Sequence, residues 1–245
     1  MLNGGMLFNS FGVYLVLLQD EFGWSKTALA GAFSMAQVES GILGPLQGWL
    51  IDRFGPRPVV RVGAVLFGLG FVALSLVHSL LTFYLAFLVL AIGSSLAGFM
   101  AVSASVANWF VRKRATAMGI AMAGMGVGGL LVPGLAWCLA VFGWRAVAFS
   151  SGIAVVVIGL PAAQLMLHRP EDHGYLPDGA TPVEPRQTAR STSAVSASRD
   201  NEFTAMEAMR TPAFWLLSVG HAAALLVVGA VMVHLVSHTV EEVGL

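Results

Sequence analysis

Long, uninterrupted apolar runs constrain the fold of this sequence more than any other feature. A bilayer core of roughly 30 Å needs about 20 apolar helical residues to cross it, and seven runs reach about that length. These runs extend approximately over Met1–Leu18, Ala28–Ile51, Val59–Val77, Leu80–Ala107, Ala115–Val141, Ala146–Leu167 and Pro212–Val236. The sequence therefore predicts an integral membrane protein with seven transmembrane segments.

The composition supports this prediction and excludes several classes of protein. Hydrophobic residues make up 57% of the chain, charged residues only 11%, and the mean hydropathy is +0.79. The 13 basic residues balance the 13 acidic ones, so no excess positive charge points to nucleic acid. The runs are continuously apolar rather than alternating, which favours helices over the strands of a membrane barrel. The predicted fold class is all-α.

Basic residues in the short loops predict the orientation in the membrane. One side of the membrane receives Arg53, Arg57, Arg61, Arg112, Lys113 and Arg114. The loops on the opposite side carry only Lys26 and Arg145. Because cytoplasmic loops are enriched in Lys and Arg, the first side is predicted to be cytoplasmic. The expected location is the plasma membrane, which for a bacterial protein is the inner membrane.

A change in composition after the sixth run predicts three regions. Residues 1–167 form a six-helix transmembrane bundle, residues 168–211 a partly disordered cytoplasmic loop, and residues 212–245 a further transmembrane helix. Small polar residues from Thr188 to Ser198 are typical of a flexible linker. Thr204 with Glu207 forms a capping box for a short surface helix, and Thr211 before Pro212 predicts the start of the seventh helix.

A compact cluster of glycine and charged residues lies between the second and third runs, in the stretch GWLIDRFGPRPVVR. Its members are Gly48, Asp52, Arg53, Gly55 and Arg57, followed by Arg61. Glycine lets helices approach closely, and a fixed carboxylate beside arginines can pair with a facing helix end in one conformation only. The cluster is interpreted as a conformational latch. An ordinary positive-inside loop is the alternative, and it would explain the arginines but not the glycine and aspartate spacing.

The same stretch resembles the loop between helices two and three of the major facilitator superfamily, with the pattern G-x-L-x-D-R-x-G-x-R. Six helices, a long cytoplasmic loop and a seventh helix also fit that family over essentially the whole chain. The resemblance implies twelve helices in two six-helix halves, with the substrate bound between them near the bilayer midplane. This chain would supply the amino-terminal half and a seventh helix. A carboxy-terminal half beyond Leu245 is the expected missing partner.

Four further segments resemble the monocarboxylate and oxalate/formate branch of that family. They read EFGWSKTALAGAFS, NWFVRKRATAMGIAMAGMGVGG, FGWR and RPEDHGYLPDG. The drug-efflux branch has an arginine in helix four where this chain has Ala91, and the adjacent Gly-Pro pair of the antiporters is replaced by LLVPG. Helix one lacks the acidic-Gly-aromatic signature and the lysine of many animal members. A lysine-based anion site is therefore not carried over.

Four polar residues inside the runs are candidates for substrate binding or proton coupling. Glu39 lies near the middle of the second run, where a carboxylate is costly unless it is protonated, paired or facing water. A buried structural hydrogen bond is the alternative for Glu39. His221 lies midway along the seventh run and could titrate near neutral pH. Asn9 and Tyr14 give helix one groups for a substrate, although such groups more often form interhelical hydrogen bonds.

The combined prediction is a secondary active transporter, a symporter or antiporter, for a small organic anion such as a mono- or dicarboxylate. The alternatives are an exporter of another solute class, such as a drug or metabolite, and an inactive half-transporter fragment. No hydrolase triad or phosphate-binding loop favours an enzyme, and no cofactor is expected. His234 and His238 with the acidic residues that follow are interpreted as a helix end rather than a metal site.

Overall fold

The computed structural model describes residues 11–130, 132–167, 170, 174–175, 177–179, 205–224 and 227. All regular secondary structure in these ranges is helical, which confirms the all-α prediction. The main helices are α1 (Phe11–Phe22), α2 (Lys26–Phe54), α3 (Pro56–Ser75), α4 (Leu80–Leu96), α5 (Phe99–Trp109), α6 (Arg114–Leu130), α7 (Val132–Phe142) and α8 (Trp144–Gln164). Beyond α8 follow a single 3-10 turn (Pro177–Gly179), a short helix (Ala205–Met209) and helical residues 212–224.

Four helical segments of the described chain are long and apolar enough to cross a membrane. They are Pro56–Ser75, Leu80–Trp109, Arg114–Phe142 and Trp144–Gln164, which correspond to the third to sixth predicted spans. The helix α2 has 29 residues but is not among the four, and it carries Lys26, Glu39, Asp52 and Arg53. The parts of the first and seventh predicted spans before residue 11 and after residue 227 lie outside the described residues.

Local sequence signals explain where the helices start and stop. The helix α2 begins after Ser25, whose Oγ accepts a hydrogen bond from the Ala28 backbone N–H at 3.1 Å. It ends at Gly55, whose φ of 83° suits glycine, and Pro56 then opens α3. The helix α4 begins with a reciprocal capping box between Ser79 and Thr82.

The fourth predicted span is not one continuous helix. Leu80 to Ala107 was expected to be a single helix, but Ala97 and Gly98 leave the helical conformation between α4 and α5. The Gly98 N–H bonds to the Ser95 carbonyl at 3.1 Å, three residues back, so the regular ladder is broken. A Cβ atom at Gly98 would lie 2.8 Å from the Ser94 carbonyl oxygen, so the interruption requires glycine there.

Glycines bring the backbones of α3, α4 and α8 into direct contact. A Cβ atom on Gly93 of α4 would lie 2.3 Å from the backbone nitrogen of Phe67 in α3. Gly68 and Gly152 face each other in the same way between α3 and α8, because a Cβ on Gly152 would lie 2.6 Å from the Gly68 carbonyl oxygen. Lipid tails are as apolar as the side chains, so close packing at small residues is a main source of helix association in membranes.

The core beside these glycines is rich in aromatic side chains and lies among α1, α2, α3, α4, α7 and α8. The largest fully buried side chains are Phe67 and Phe71 on α3 and Phe83 and Phe87 on α4. Phe67 and Phe71 meet edge to face with ring centroids 5.1 Å apart. These contacts make α3 and α4 the centre of the bundle.

At the predicted outer side, charged residues join the ends of α1 and α8. Glu21 near the end of α1 accepts hydrogen bonds from the Arg145 guanidinium and from the Trp144 indole at the start of α8. Arg145 also donates to the Val77 carbonyl at 3.2 Å and stacks over the Trp144 ring at 4.4 Å. The ends of three helices are therefore held by one ion pair and its neighbours.

The chain divides into two compact units, Met1–Pro182 and Val183–Leu245. In the second unit, the short helix predicted from Thr204 and Glu207 is present at Ala205–Met209. The hydroxyl of Thr211 accepts a hydrogen bond from the Phe214 N–H at 3.3 Å, so the predicted start of the next helix is confirmed. The predicted regional boundaries at residues 168 and 212 stay predictions.

Candidate functional site

The predicted latch occupies the turn between α2 and α3. Gly55 forms the turn itself with its positive φ. Gly48 lies two turns earlier on α2, and a Cβ atom there would meet no atom within 4 Å. Close packing against other described residues does not account for a glycine at position 48.

Two arginines of this cluster bind the end of α8. The Nη2 atoms of Arg57 and Arg61 both donate to the Oε1 atom of Gln164, each at 2.6 Å. An uncharged amide oxygen thus joins the start of α3 to the last residue of α8. These arginines serve a structural contact in addition to any effect of their charge on membrane orientation.

The remaining two charges of the cluster point outward. Asp52 is exposed and has neither a hydrogen bond nor an ion pair to any other residue that the structure describes. Arg53 is exposed and lies near two aromatic rings, 5.7 Å from the Trp49 centroid and 5.8 Å from that of Phe54.

Glu39 lies between α2 and α4 and has one hydrogen-bond partner. Only 9% of the residue is exposed, and its Oε2 atom accepts a hydrogen bond from Ser95 Oγ at 3.2 Å. Its Oε1 atom is buried without a partner among the described residues. Two turns along α2, Gln47 Nε2 donates to the Ser95 carbonyl at 2.5 Å. Ser95 thus connects both polar side chains to the last turn of α4.

The other three candidates are not brought together by the structure. Tyr14 of α1 is 4% exposed, and its hydroxyl is buried without a hydrogen bond to any described residue. His221 is exposed within the second unit. Asn9 lies outside the described residues, as do His234 and His238. Within the described ranges no group of three or more His, Cys, Asp or Glu side chains could hold a metal ion.

A site that the sequence analysis did not identify lies at the start of α6. The Asp178 carboxylate accepts hydrogen bonds from the backbone N–H groups of Arg112, Val111 and Lys113, at 2.7, 3.2 and 3.3 Å. Hydrogen bonding first from Arg112, and then from its neighbours, lowers the pKa of Asp178. Trp109 is nearby and donates to the Leu167 carbonyl at 3.0 Å. The segment after α8 therefore caps the turn that leads into α6, on the side predicted to be cytoplasmic.

The missed residues share a long sequence separation from their partners. Gln164, Ser95 and Asp178 carry no spacing signal, because their partners lie dozens of residues away. The motif FGWR contains Arg145, and the motif RPEDHGYLPDG contains Asp178. A search for groups of opposite charge or hydrogen-bonding character at other helix ends could have suggested both contacts. The pKa of Glu21 is lowered, first by its hydrogen bond to Arg145 and then by that to Trp144.

Comparison with known proteins identifies the family of this chain. The sequence profile of the Major Facilitator Superfamily matches residues 1–245. Monocarboxylate transporter 11 of Mus musculus is 35% identical over 140 residues, which are 57% of this chain and 31% of that protein. The oxalate:formate antiporter of Oxalobacter formigenes is 27% identical over 210 residues, or 85% of this chain and 46% of the antiporter.

A third relative has a different named activity. The fujikurins efflux protein of Gibberella fujikuroi is 33% identical over 91 residues, which are 37% of this chain and 20% of that protein. The chain spans less than half the length of each of these three relatives. The profile match over all residues and the two carboxylate-transporter relatives confirm the resemblance seen in the motifs. This chain is a multi-pass membrane protein that belongs to the major facilitator superfamily, and it is similar to monocarboxylate transporter 11 and to the oxalate:formate antiporter over the residues that they match.

Proposed function

We propose that this chain forms part of a secondary active transporter that moves small organic anions, mono- or dicarboxylates, by alternating access. Two relatives are named for monocarboxylates and for oxalate and formate, and this supports the substrate class. The observation that supports the mechanism is the arrangement of Asp52 and Gly48 near the end of α2. In it an exposed carboxylate stands beside a glycine with free space around it.

In this proposal Asp52 is the gating carboxylate. It pairs with the end of a helix from a second six-helix half in one conformation and releases it in the other. Gly48 and Gly55 let that helix approach, while Arg53 keeps a positive charge beside the contact. Arg57 has a different part in the gate, since its bond to Gln164 keeps the start of α3 fixed to α8 while the latch opens and closes.

Glu39 is proposed to couple transport to a proton. Its buried and incompletely paired carboxyl is costly to keep ionised between two apolar helices. Tyr14, Asn9 and His221 are the proposed substrate-binding groups. The unpartnered Tyr14 hydroxyl supports this role. The counter-charge for an anionic substrate is expected from a lysine or arginine in the second half, because an unpaired anion at the midplane is unfavourable.

Export of another solute class is the second candidate, and the similarity to a fujikurins efflux protein favours it. The third is a half-transporter without activity of its own. A counterflow screen separates the first two, since only the proposed function predicts exchange of labelled carboxylates. A neutral cavity in the second half would also argue against an organic anion.

The decisive experiment measures uptake of labelled small carboxylates into proteoliposomes that contain the intact natural protein. Uptake is followed with and without an inward proton gradient, for the wild type and for Glu39→Gln. The matched control is Glu21→Gln, which makes the same chemical change in an exposed carboxylate. Saturable, gradient-driven uptake that Glu39→Gln abolishes and Glu21→Gln keeps is the expected result. Absence of carboxylate uptake by folded wild-type protein would refute the substrate class.

A further inference from the structure

The interruption between α4 and α5 lies beside Glu39, the only buried carboxylate of the described residues. Ser95 contacts both. The Ser95 hydroxyl donates to Glu39, while its carbonyl accepts from Gln47 and from the Gly98 N–H that follows the break. Broken transmembrane helices are stable where neighbouring side chains satisfy the freed backbone groups. Here the Gln47 side chain adds a hydrogen bond to the Ser95 carbonyl.

Ionised Glu39 is poorly satisfied in this position. A carboxylate offers about four acceptor sites, and a single donor at 3.2 Å meets one of them. The buried Oε1 atom has no partner among the described residues. A proton can reside on this Oε1 atom without any other rearrangement.

We propose that Glu39 is a proton-binding site and that Ser95 is its positioning residue, which transmits the charge of Glu39 to the interruption between α4 and α5. When Glu39 is ionised, the Ser95 hydroxyl donates to it. When Glu39 is neutral, the carboxyl can donate instead, and the Ser95 hydroxyl then turns to a carbonyl of the preceding turn, at Ala91 or Ile92. Such back-bonding by serine bends helices.

A change in the hydrogen-bond partner of Ser95 can move α5, because Ser95 lies next to the interruption. Gly63 of α3 presses on it, since a Cβ at Gly63 would lie 2.5 Å from the Ala97 backbone nitrogen. A bend at this point therefore moves α5 relative to the tightly packed pair α3 and α4. The inference extends the proposed function, in which Glu39 is the coupling residue, by assigning a second residue and the moving element.

Among the residues that the structure describes, the other charged side chains on α2 and on the helices packed against it lie far from Glu39 along the chain or near helix ends. Lys26 and Asp52 are each 13 residues away on α2, which is about 20 Å along the helix axis. The remaining charged groups of the helices packed against α2 lie near helix ends: Asp20 and Glu21 of α1, Arg53 of α2, and Arg57 and Arg61 of α3. The other titratable groups on α1 and α4 are the hydroxyls of Tyr14 and Tyr84, and α5 has no titratable side chain.

The first test labels the intact natural protein with dicyclohexylcarbodiimide, which reacts with protonated carboxyls in apolar surroundings. Modification of Glu39 is measured by peptide mass spectrometry from pH 5.5 to 9. We expect labelling that declines with rising pH, and Ser95→Ala should move the half-maximal pH upward by about one unit, because the anion loses its donor. Ser103→Ala is the matched control, since that hydroxyl bonds only to Met100 in its own helix. An unlabelled Glu39, or the same midpoint in Ser95→Ala and wild type, overturns the proposal.

The second test reports the bend and is independent of transport. Cys138 is first replaced by serine so that it does not take up the label. Spin labels are then attached at positions 85 and 111, on either side of the interruption, where Leu85 and Val111 are both more than half exposed. The distance distribution should change between pH 5.5 and 8.5 in the wild type and stay in its low-pH form in Glu39→Gln. A pH-independent distance refutes the link. If labelling and distances behave as expected while carboxylate uptake is absent, the inference holds and the proposed substrate fails.

Discussion

Replacement of Gly93 by alanine tests the backbone contact between α3 and α4. The new Cβ would lie 2.3 Å from the Phe67 nitrogen and 2.6 Å from its Cα, whereas ordinary contacts begin near 3.4 Å. The atoms in the way belong to the backbone, so the helices must separate locally by about 1 Å. Overpacking of this kind costs about 1–3 kcal/mol. The better helix propensity of alanine offsets at most about 1 kcal/mol of that cost.

The matched control is Gly119→Ala on α6, where a Cβ atom would meet nothing within 4 Å. That change should be neutral or stabilise the protein by up to about 1 kcal/mol. Thermal unfolding in detergent, followed by circular dichroism at one scan rate, should show a Tm lowered by about 3–8 °C for Gly93→Ala. A Tm for Gly93→Ala at or above that of Gly119→Ala would show that the two helices are not in backbone contact.

Two further predictions concern charged groups at the helix ends. Asp178→Asn should lower the Tm at neutral pH. Because hydrogen bonds lower the pKa of Asp178 below its usual value of about 3.9, the stabilisation is present above that value and is lost as the pH falls through the lower folded pKa. Melting curves from pH 3 to 7 should therefore converge at the acid end, and a constant difference would contradict the role of the charge. Glu21→Gln removes the ion pair with Arg145, in which both side chains are over a third exposed. We expect the free energy of unfolding to fall by about 0.2–1 kcal/mol, and this difference should shrink in 1 M salt. An effect independent of salt would contradict the ion pair.

The sequence predicts most of the helical arrangement because each apolar run is a local property. The ranges expected for the second, third and sixth helices agree with α2, α3 and α8 to within a few residues at each end. Capping residues such as Ser25 and Gly55 act on their own helix and are therefore readable from the chain. The same reasoning works for the start at Thr211.

Features that depend on contacts between distant residues were not predictable in this way. The stretch LVLAIGSSLAGFMA around Gly98 is apolar throughout, so nothing in its composition distinguishes an interruption from a continuous helix. Gln47 from another helix adds a hydrogen bond to the Ser95 carbonyl, which also accepts from the Gly98 N–H, and no local pattern indicates that contact. At the latch, the motif predicted the turn at Gly55 but not that Arg57 binds Gln164. Tertiary partners decide such details.

The cap that Asp178 places on α6 has a consequence for how the protein is made. A chain grows from its amino terminus, and residues 111–113 leave the ribosome more than 60 residues before Asp178. During that interval the N–H groups of the turn before the fifth span lack the Asp178 carboxylate. Synthesis of the segment beyond α8 therefore completes a turn that was made much earlier. A nascent chain halted before residue 178 should expose the turn after Trp109 to protease.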